Sequence, residues 1–443
     1  MIVISFDGLG TKDLQIVKEF PHFRRFFSEA AIVPSVKTVY PSQTYAAHSS
    51  ISTGKLPARH GVINNTMPTP RYMTSANWYW YRRLLKGKTF YDIAREKGLK
   101  TGAFLWPVTG GAKIDYHVPE IFQNRFWRNQ IWLSLHNGSK KLQLELMPRF
   151  GKWLLHGTAQ PYLDTFVHKS AMYTMLKYRP DLLLLHYCDL DHLRHDHGRE
   201  SEEAMEALKR HDERLGEWMD YLDAAGPSTI VVLGDHYSLN VSGAIRLNSF
   251  LARKGFLKIS GSPNRVYRYT VLAHPAGGSC YLYLNSKEKG RKDQYAYLLQ
   301  GMLEAFSREN DHCLEKIYTA EEAAQMGADP DCLLMAEAKE GYYFQAEIDG
   351  PEVMKWTEKT RPAGAEGATH GYSPEKTDYT TVFAIRTHDP SGHELDHHVK
   401  PGTYNMDASL IDEGPTLAHL LGGELPEADG RVLKELFETE QPN

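Results

Sequence analysis

The sequence predicts an α/β protein with a doubly wound, mostly parallel sheet, helices on both faces of that sheet, and an inserted α+β subdomain. Short apolar runs rich in β-branched residues alternate with helical patterns, which is typical of repeated βαβ units. Between residues 240 and 361 the pattern changes to β-rich stretches around one amphipathic helix. The chain has 443 residues, of which 42% are hydrophobic and 24% charged, so it can bury a large core.

The strands of the sheet are predicted from apolar runs that end at polar residues. In chain order these runs are residues 2–6, 31–39, 101–105, 181–186 and 229–233, and a last strand at 379–385 returns to the same sheet. Helices are expected up to about residue 30, from about Thr44, and near 415–421. A long helix before the fifth strand is predicted from an apolar stripe formed by Met205, Leu208, Leu215, Met219 and Leu222.

The β-rich region is interpreted as a subdomain inserted into the chain at residues 240–361. Its strands are predicted at 266–273, 280–284 and 341–348, and its amphipathic helix at 294–306. Residues 1–239 and 362–443 then form one core, because the strand and helix patterns resume after the insertion.

Composition and charge exclude several classes of protein. The chain has 51 Lys and Arg against 55 Asp and Glu, a net charge of −4, which predicts neither a nucleic-acid polymer nor a membrane as partner. Its four cysteines include no Cys-x-x-Cys pair, so no disulfide framework is expected. Neither a signal peptide nor an apolar run of membrane-spanning length is found, and we therefore expect a cytoplasmic location.

Acidic residues and histidines stand beside the predicted strands of the core. Six of them lie just after a strand or before the last one: Asp7, Asp191, His195, Asp235, His236 and His370. In open α/β sheets, ligands bind beyond the carboxyl ends of the strands, so we expect these side chains to meet at one edge. Three aspartates and three histidines suit two divalent metal ions, with zinc as the first expectation and manganese or iron as alternatives.

Two further segments make the order of motifs recognisable. Residues 40–48 read Tyr-Pro-Ser-Gln-Thr-Tyr-Ala-Ala-His, and residues 53–61 read Thr-Gly-Lys-Leu-Pro-Ala-Arg-His-Gly. They occur in order with four other motifs: Asp7-Gly8, Asp191-x-x-x-His195, Asp235-His236 and His370-Gly371-Tyr372. With this series the chain resembles the nucleotide pyrophosphatase/phosphodiesterase branch of the alkaline phosphatase superfamily, over residues 1 to about 240 and about 365 to 421.

The resemblance implies an alkaline-phosphatase-like core that holds two zinc ions. The implied ligands are Asp191, His195 and His370 for the first ion, and Asp7, Asp235 and His236 for the second, which the Thr44 oxygen also faces. Thr44 would be the nucleophile, and Asn65, 21 residues later, would bind a phosphoryl oxygen. A phosphodiester or phosphoanhydride bond would be hydrolysed through phospho-Thr44, because coordination to a dication lowers the pKa of a threonine hydroxyl.

Substrate recognition is also implied by the resemblance. Members of the family that act on nucleotides stack the base on an aromatic residue after the nucleophile and on another shortly before the Asp-x-x-x-His motif. Tyr45 and His186 stand at these positions and would bind the substrate, a small-molecule phosphodiester or nucleotide; His186 departs from the family's aromatic residue. Three alternatives stay open: a phosphonoacetate-type phosphonate hydrolase, a phosphomonoesterase, and a non-catalytic protein that binds metal or a phospho-ligand.

Overall fold

The structure is a computed structural model that describes residues 1–70, 75–125, 129–261, 265–392 and 394–438. Its strands are β1 (Ile2–Phe6), β2 (Ala30–Lys37), β3 (Thr101–Phe104), β4 (Tyr116–Val118), β5 (Leu182–Tyr187), β6 (Ser228–Leu233), β7 (Leu239–Asn240), β8 (Gly243–Ile245), β9 (Leu257–Ser260), β10 (Arg265–Tyr269), β11 (Val271–Ala276), β12 (Ser279–Leu284), β13 (Leu314–Thr319), β14 (Leu334–Ala338), β15 (Tyr342–Phe344), β16 (Val353–Lys355), β17 (Ala368–Thr369), β18 (Thr380–His388) and β19 (Gly402–Thr403).

The helices connect these strands on both sides of the largest sheet. They are α1 (Leu14–Val17), α2 (Pro21–Ser28), α3 (Thr44–Thr53), α4 (Pro57–His60), α5 (Phe90–Glu96), α6 (Gln130–Asn137), α7 (Lys140–Phe150), α8 (Tyr162–Tyr178), α9 (Asp189–His197), α10 (Glu202–Ala225), α11 (Leu247–Arg253), α12 (Lys292–Glu309), α13 (Ala320–Gln325) and α14 (Leu410–Leu420). Within the described ranges, no helix is both long and apolar enough to cross a membrane.

The largest sheet has eight strands in the spatial order β19-β2-β18-β6-β1-β5-β3-β4. β1 runs parallel to both of its neighbours, β5 and β6, and β3 runs parallel to β5 and β4. β18 is antiparallel to β2 and β6. The predicted fold class, α/β with a mostly parallel sheet, is therefore confirmed. β1 lies between β5 and β6, and an acidic motif follows each of these three strands.

Two apolar cores lie on opposite faces of this sheet, because successive side chains of a strand point to opposite sides. Ile2, Ile4 and Phe6 of β1 pack into one core with side chains from α2, α8 and α10. Val3 packs into the other core with side chains from α3, α5 and α14. The sheet is thus covered on both faces, which leaves its ends as the place for polar groups.

The region predicted as an insertion contains a four-stranded antiparallel sheet in the order β11-β12-β14-β13, against which Leu299 and Leu303 of α12 pack. The strand predicted at 266–273 is wrong in detail: β10 pairs with β9, whereas β11 pairs with β12. Of the strand predicted at 341–348, only β15 is present. The boundaries at residues 240 and 361 stay a prediction.

The last helix begins earlier than its sequence pattern indicates. The sequence predicts it near 415–421. In the structure α14 begins at Leu410 and Pro415 lies inside it. The start is fixed instead by Asp412, whose carboxylate accepts a hydrogen bond from the Ser409 N–H at 2.9 Å.

A substitution at Gly234 tests how closely β6 and the segment after β1 are packed. A Cβ on Gly234 would lie 1.9 Å from the backbone oxygen of Leu9, so Gly234→Ala must displace backbone. We expect it to lower the free energy of unfolding by about 1–3 kcal/mol or more, measured by urea denaturation. In the control Gly301→Ala, the added Cβ in α12 meets open space, and we expect a gain of about 0.5–1 kcal/mol. Equal stability of both variants would contradict the close packing.

Candidate metal and phosphoryl site

The acidic residues and histidines predicted from the sequence meet at the carboxyl end of the largest sheet. Asp7 directly follows β1, and Asp235 and His236 follow β6. Asp191 and His195 lie one turn apart in α9, which begins just after β5. Asp7, Asp191, Asp235 and His236 are all at least nine-tenths buried. The parallel order of the three strands is what brings residues so distant in sequence together.

A first group of potential metal ligands comprises Asp191, His195 and His370, whose ligand atoms all lie within 4.8 Å of one another. The Nε2 atom of His195 is 3.2 Å from Asp191 Oδ2. His370 Nδ1 donates a hydrogen bond to the Ser42 carbonyl oxygen at 2.9 Å. Because Nδ1 carries the proton in that bond, Nε2 of the neutral ring keeps its lone pair for a ligand bond.

A second group surrounds the Nε2 atom of His236. It lies 3.2 Å from Asp7 Oδ1, 3.3 Å from Asp235 Oδ2 and 3.1 Å from Thr44 Oγ1. Asp191 also approaches this group, since its ligand atom lies within 4.8 Å of those of Asp7 and His236. The rings of His236 and His370 stack with centroids 3.7 Å apart, so the two groups are direct neighbours.

Thr44 is held at the first position of α3, where helix N–H groups are free of partners within the helix. His48, one turn later, donates from Nδ1 to the Thr44 carbonyl oxygen at 2.8 Å, and its Nε2 lies 2.9 Å from Ser5 Oγ on β1. Through the buried ring of His48, Thr44 is therefore fixed relative to β1 of the sheet. Sequence reasoning missed this role of His48, although the spacing of four residues on a helix indicates the contact.

Asn65, the predicted phosphoryl contact, lies beside the start of α3. Its Oδ1 accepts a hydrogen bond from the Tyr45 N–H at 2.8 Å. Because a backbone N–H can only donate, this bond fixes the orientation of the side-chain amide and leaves Nδ2, a donor, as its other end. A donor beside Thr44 is what a phosphoryl oxygen requires.

The buried charges strongly influence one another. Burial, the largest single influence, would raise the pKa of Asp191, but the charge and hydrogen bond of His195 together with the charge of His370 lower that pKa to about 2. Burial and the neighbouring Asp7 raise the pKa of Asp235 to about 7. Burial would lower the pKa of His236, but Asp235 and Asp7 raise it to about 9. The carboxylates thus repel one another and depend on nearby positive charge.

The donor atoms fit divalent cations. Five buried atoms of the two groups make no hydrogen bond to any described residue: Asp7 Oδ1, Asp191 Oδ1, His195 Nδ1, Asp235 Oδ2 and His236 Nδ1. Buried polar atoms are nearly always satisfied, so unsatisfied carboxylate oxygens concentrated in one place indicate a missing cationic partner. Carboxylate oxygens and imidazole nitrogens are ligands that zinc accepts. The residues present therefore fit two metal ions.

Tyr45 and His186, the predicted substrate contacts, occupy different surroundings. The ring of Tyr45 meets that of Trp78 edge to face with centroids 5.3 Å apart, and Trp78 is 36% exposed. His186 is completely buried, and its Nε2 lies 3.1 Å from Asp7 Oδ2. The His186 ring therefore lies beneath Asp7, a predicted metal ligand. Its contact with a nucleotide base stays a prediction.

Glu366 also belongs to the site and was missed from the sequence. Its Oε2 atom lies 3.2 Å from His195 Nδ1, so it can orient that ring for metal binding through Nε2. It stands four residues before His370. A carboxylate partner is common for a ligating histidine, but nothing in the local pattern indicates that this glutamate reaches α9.

Comparison with known proteins agrees with the geometry. A family model, the type I phosphodiesterase/nucleotide pyrophosphatase, matches residues 1–373. The chain belongs to this family. Members of the family are hydrolases, so the recognition made from the sequence is confirmed, and they depend on metal ions.

Similar curated proteins are matched over part of their length. Ectonucleotide pyrophosphatase/phosphodiesterase family member 1 of Mus musculus is 25% identical over 213 residues, which cover 46% of this chain and 20% of that protein. Bis(5'-adenosyl)-triphosphatase ENPP4 of Bos taurus is 28% identical over 152 residues, or 31% of this chain and 33% of that protein. The matched segments thus span a fifth to a third of the length of these relatives.

Solved structures share the fold over nearly the whole chain. Murine ectonucleotide pyrophosphatase/phosphodiesterase 5 covers 99% of this chain and 100% of its own, with a TM-score of 0.63 and 18% identity. An inactive variant of the same murine protein, in complex with AMP, gives a TM-score of 0.64 at 18% identity. At this level of identity the likeness establishes the fold.

A substitution at Arg194 tests how α9, which carries Asp191 and His195, is joined to the segment that follows Asp7. From α9 it donates to the Gly8 carbonyl oxygen at 2.6 Å and pairs with Asp13 at 2.6 Å, and both charged side chains are 2% exposed. We expect Arg194→Met to lower the free energy of unfolding by about 3–5 kcal/mol, because it leaves the Asp13 charge buried and unpaired. The measurement is urea denaturation of the purified protein.

The matched control is Arg199→Met, which removes a pair with Glu200 whose side chains are 27% and 59% exposed. An exposed pair contributes less than about 1 kcal/mol, so this variant should stay close to the wild type. A loss from Arg194→Met no larger than that of the control would show that the buried pair does not join α9 to the end of β1.

Proposed function

We propose that this protein is a metal-dependent phosphodiesterase or nucleotide pyrophosphatase that acts through a phospho-Thr44 intermediate. The observation that carries the proposal is the position of Thr44 Oγ1, at the start of α3 and 3.1 Å from His236 Nε2. A hydroxyl at this point faces both a cation-binding group and the free N–H groups of a helix N-terminus, which favour a phosphate. The sequence-based prediction of a cytoplasmic location stays a prediction.

The proposed cation ligands are the two sets predicted from the sequence. Asp191, His195 and His370 would hold one ion, and a second would be held by Asp7, Asp235 and His236 together with Thr44. Zinc is the proposed metal, with manganese or iron as alternatives, because the donors are nitrogen and oxygen atoms. When bound, the two dications lower the pKa of the Thr44 hydroxyl and stabilise negative charge on the attacking and leaving oxygens.

The protein's own groups would carry the reaction in two steps. Thr44 Oγ gives up its proton and forms a bond to phosphorus while the bond from phosphorus to the leaving oxygen breaks. The leaving group departs with the bonding electron pair and takes up a proton, and phospho-Thr44 remains. A water molecule then attacks the same phosphorus, restores the Thr44 hydroxyl and releases a phosphate monoester. Asn65 Nδ2 and the first N–H groups of α3 would bind a nonbridging oxygen, whose charge grows in each step.

A singly charged phosphodiester suits this site better than a doubly charged monoester. Among the described residues, no Lys or Arg forms an ion pair with the predicted metal ligands, whose partners are other site residues, His48, His186 and Glu366. Nucleotides are the proposed substrate class: one relative is named a bis(5'-adenosyl)-triphosphatase, and the murine structure holds AMP. Tyr45 would contact the nucleotide from its place beside Trp78.

Matched aryl substrates test the proposal. We expect kcat/KM for bis-p-nitrophenyl phosphate to exceed that for p-nitrophenyl phosphate by at least about tenfold, or ~1.4 kcal/mol in transition-state stabilisation. The leaving group is the same in both, so the ratio reports the charge that the site prefers at phosphorus. Activity on both should vanish after treatment with a chelator and return with zinc.

Thr44→Ala is the variant that isolates the nucleophile. It should reduce kcat by at least about a thousandfold while zinc content is largely kept, since six nitrogen and oxygen ligands remain. Near-normal turnover in this variant would refute the phospho-Thr44 intermediate. Preference for the monoester would indicate a phosphomonoesterase, and turnover of phosphonoacetate alone would indicate a phosphonate hydrolase.

A further inference from the structure

The four-stranded sheet β11-β12-β14-β13 carries one buried carboxylate that two distant segments of the chain share. Glu337 lies on β14 and is only 1% exposed. Its Oε2 accepts a hydrogen bond from the Tyr40 hydroxyl at 2.7 Å, and its Oε1 accepts one from the Ser373 N–H at 2.8 Å. Each oxygen of this side chain is therefore bound by a different segment.

The two segments carry the proposed nucleophile and a proposed metal ligand. Tyr40 stands four residues before Thr44, at which α3 begins, and Ser373 stands three residues after His370. An ionised carboxylate only accepts hydrogen bonds, so it can serve donors on two segments at the same time. Glu337 is thus placed to set the distance between Thr44 and His370 from outside the site.

A second set of contacts makes the link between these segments stiff. Ser42 lies between Tyr40 and Thr44, and its carbonyl oxygen accepts the hydrogen bond from His370 Nδ1 at 2.9 Å. Its Oγ accepts another from the Gly371 N–H at 3.0 Å. Because Ser42 and His370 are buried, breaking these bonds would leave polar groups without partners. A displacement of one segment is therefore passed on to the other.

The turn between β11 and β12 holds the backbone of His370. The Gly278 N–H donates to the His370 carbonyl oxygen at 2.8 Å. A Cβ on Gly277 would lie 2.1 Å from the same oxygen, and a Cβ on Gly371 would lie 1.9 Å from the Ala276 carbonyl oxygen. The sheet therefore approaches this ligand more closely than a side chain at either glycine would permit.

β11 holds the segment around Asn65, the proposed phosphoryl contact. Asn64 Nδ2 donates to the Pro275 carbonyl oxygen at 2.9 Å, and His274 Nε2 donates to the Thr66 carbonyl oxygen at 2.9 Å. Asn65 thus lies between two residues that are bound to one strand. The same sheet therefore contacts the segments of the nucleophile, of the phosphoryl contact and of one metal ligand.

We propose that Glu337 is a positioning residue, which holds Thr44 and His370 at the separation that phosphoryl transfer requires. The inference rests on the proposed function, because it assigns Glu337 a role in that reaction. Among the described residues, Glu337 forms no hydrogen bond or ion pair with a proposed metal ligand, so it acts through Tyr40 and Ser373. The four-stranded sheet is then the outer support of the site.

Two substitutions at Glu337 test the proposal, with bis-p-nitrophenyl phosphate as substrate of the zinc-loaded full chain. Glu337→Met leaves both donors without an acceptor. We expect kcat to fall by at least about tenfold and KM to change by less than about threefold, because a misplaced nucleophile weakens the transition state more than substrate binding. Glu337→Gln should keep kcat within about threefold of the wild type, since its Oε1 can accept from the Ser373 N–H and its Nε2 can donate to the Tyr40 oxygen.

A tyrosine pair keeps the test valid if Glu337→Met does not fold. Tyr40→Phe removes one of the two hydrogen bonds, and we expect kcat to fall by at least about fivefold. The control is Tyr283→Phe on β12, which removes a hydroxyl that donates to Asp329 at the same distance of 2.7 Å. That bond joins two parts of the inserted region, so kcat of the control should stay within about twofold of the wild type.

Zinc affinity gives a readout that does not depend on turnover. Glu337→Met should weaken the binding of one of two zinc equivalents by at least about tenfold, because His370 loses part of the support that orients it. Glu337→Gln should bind both equivalents like the wild type. Competition with a chromophoric chelator measures these affinities.

Each other outcome has one meaning. Wild-type kcat and zinc affinity in Glu337→Met would overturn the positioning role, even if this variant unfolds in less urea, because a purely structural residue changes stability alone. Equal losses in Glu337→Met and Glu337→Gln, or in Tyr40→Phe and its control, would also overturn it. A wild type that binds zinc but hydrolyses neither aryl phosphate would contradict the proposed function, and the zinc affinities alone would then decide whether Glu337 supports His370.

Discussion

Three aspartates held close together with little exposure to solvent are the constraint on which the rest of this structure depends. Asp7, Asp191 and Asp235 end or follow neighbouring strands, and each is at most 8% exposed. Two unit charges 4 Å apart repel by about 4 kcal/mol at an effective dielectric constant of about 20. Such a cluster persists only if positive charge is interleaved with it. His236, within 3.3 Å of two of the carboxylates, meets part of that need, and the remaining negative charge favours the binding of cations.

The surrounding fold supplies rigid supports for this cluster. Gly234 allows β6 to approach the backbone at Leu9, which places Asp235 next to Asp7. Arg194 ties α9, which carries Asp191 and His195, to the segment after Asp7. His48 anchors the start of α3 to Ser5 of the same strand. Thr44 therefore meets the cluster in a fixed position, and as the proposed nucleophile it would need little reorganisation during the reaction.

Much of this arrangement could be predicted from the sequence, because the positions of the acidic residues follow from where the buried strands end. Buried parallel strands read as short apolar runs, and the first polar residue after each run marks the end where ligands bind. Asp7 and Asp235 were found in this way, and the one-turn spacing of Asp191 and His195 places both on one helix face. The motif order added Thr44 and Asn65, whose positions local patterns alone do not reveal.

The remainder depends on contacts between distant segments. The register that pairs Ser5 with His186 places the His186 ring beneath Asp7, a contact that its place before the Asp-x-x-x-His motif does not indicate. Glu366 reaches His195 across 171 residues of chain, and no periodicity encodes that approach. The division of residues 266–273 between two sheets likewise follows from strand partners rather than from propensity.

Anomalous diffraction from crystals of the zinc-loaded protein tests the central claim most directly. Data collected on either side of the zinc absorption edge locate zinc ions independently of any assumption about ligands. The account predicts one anomalous peak among Asp191, His195 and His370 and a second among Asp7, Asp235, His236 and Thr44. The absence of a peak from either group, at full zinc loading, would contradict it.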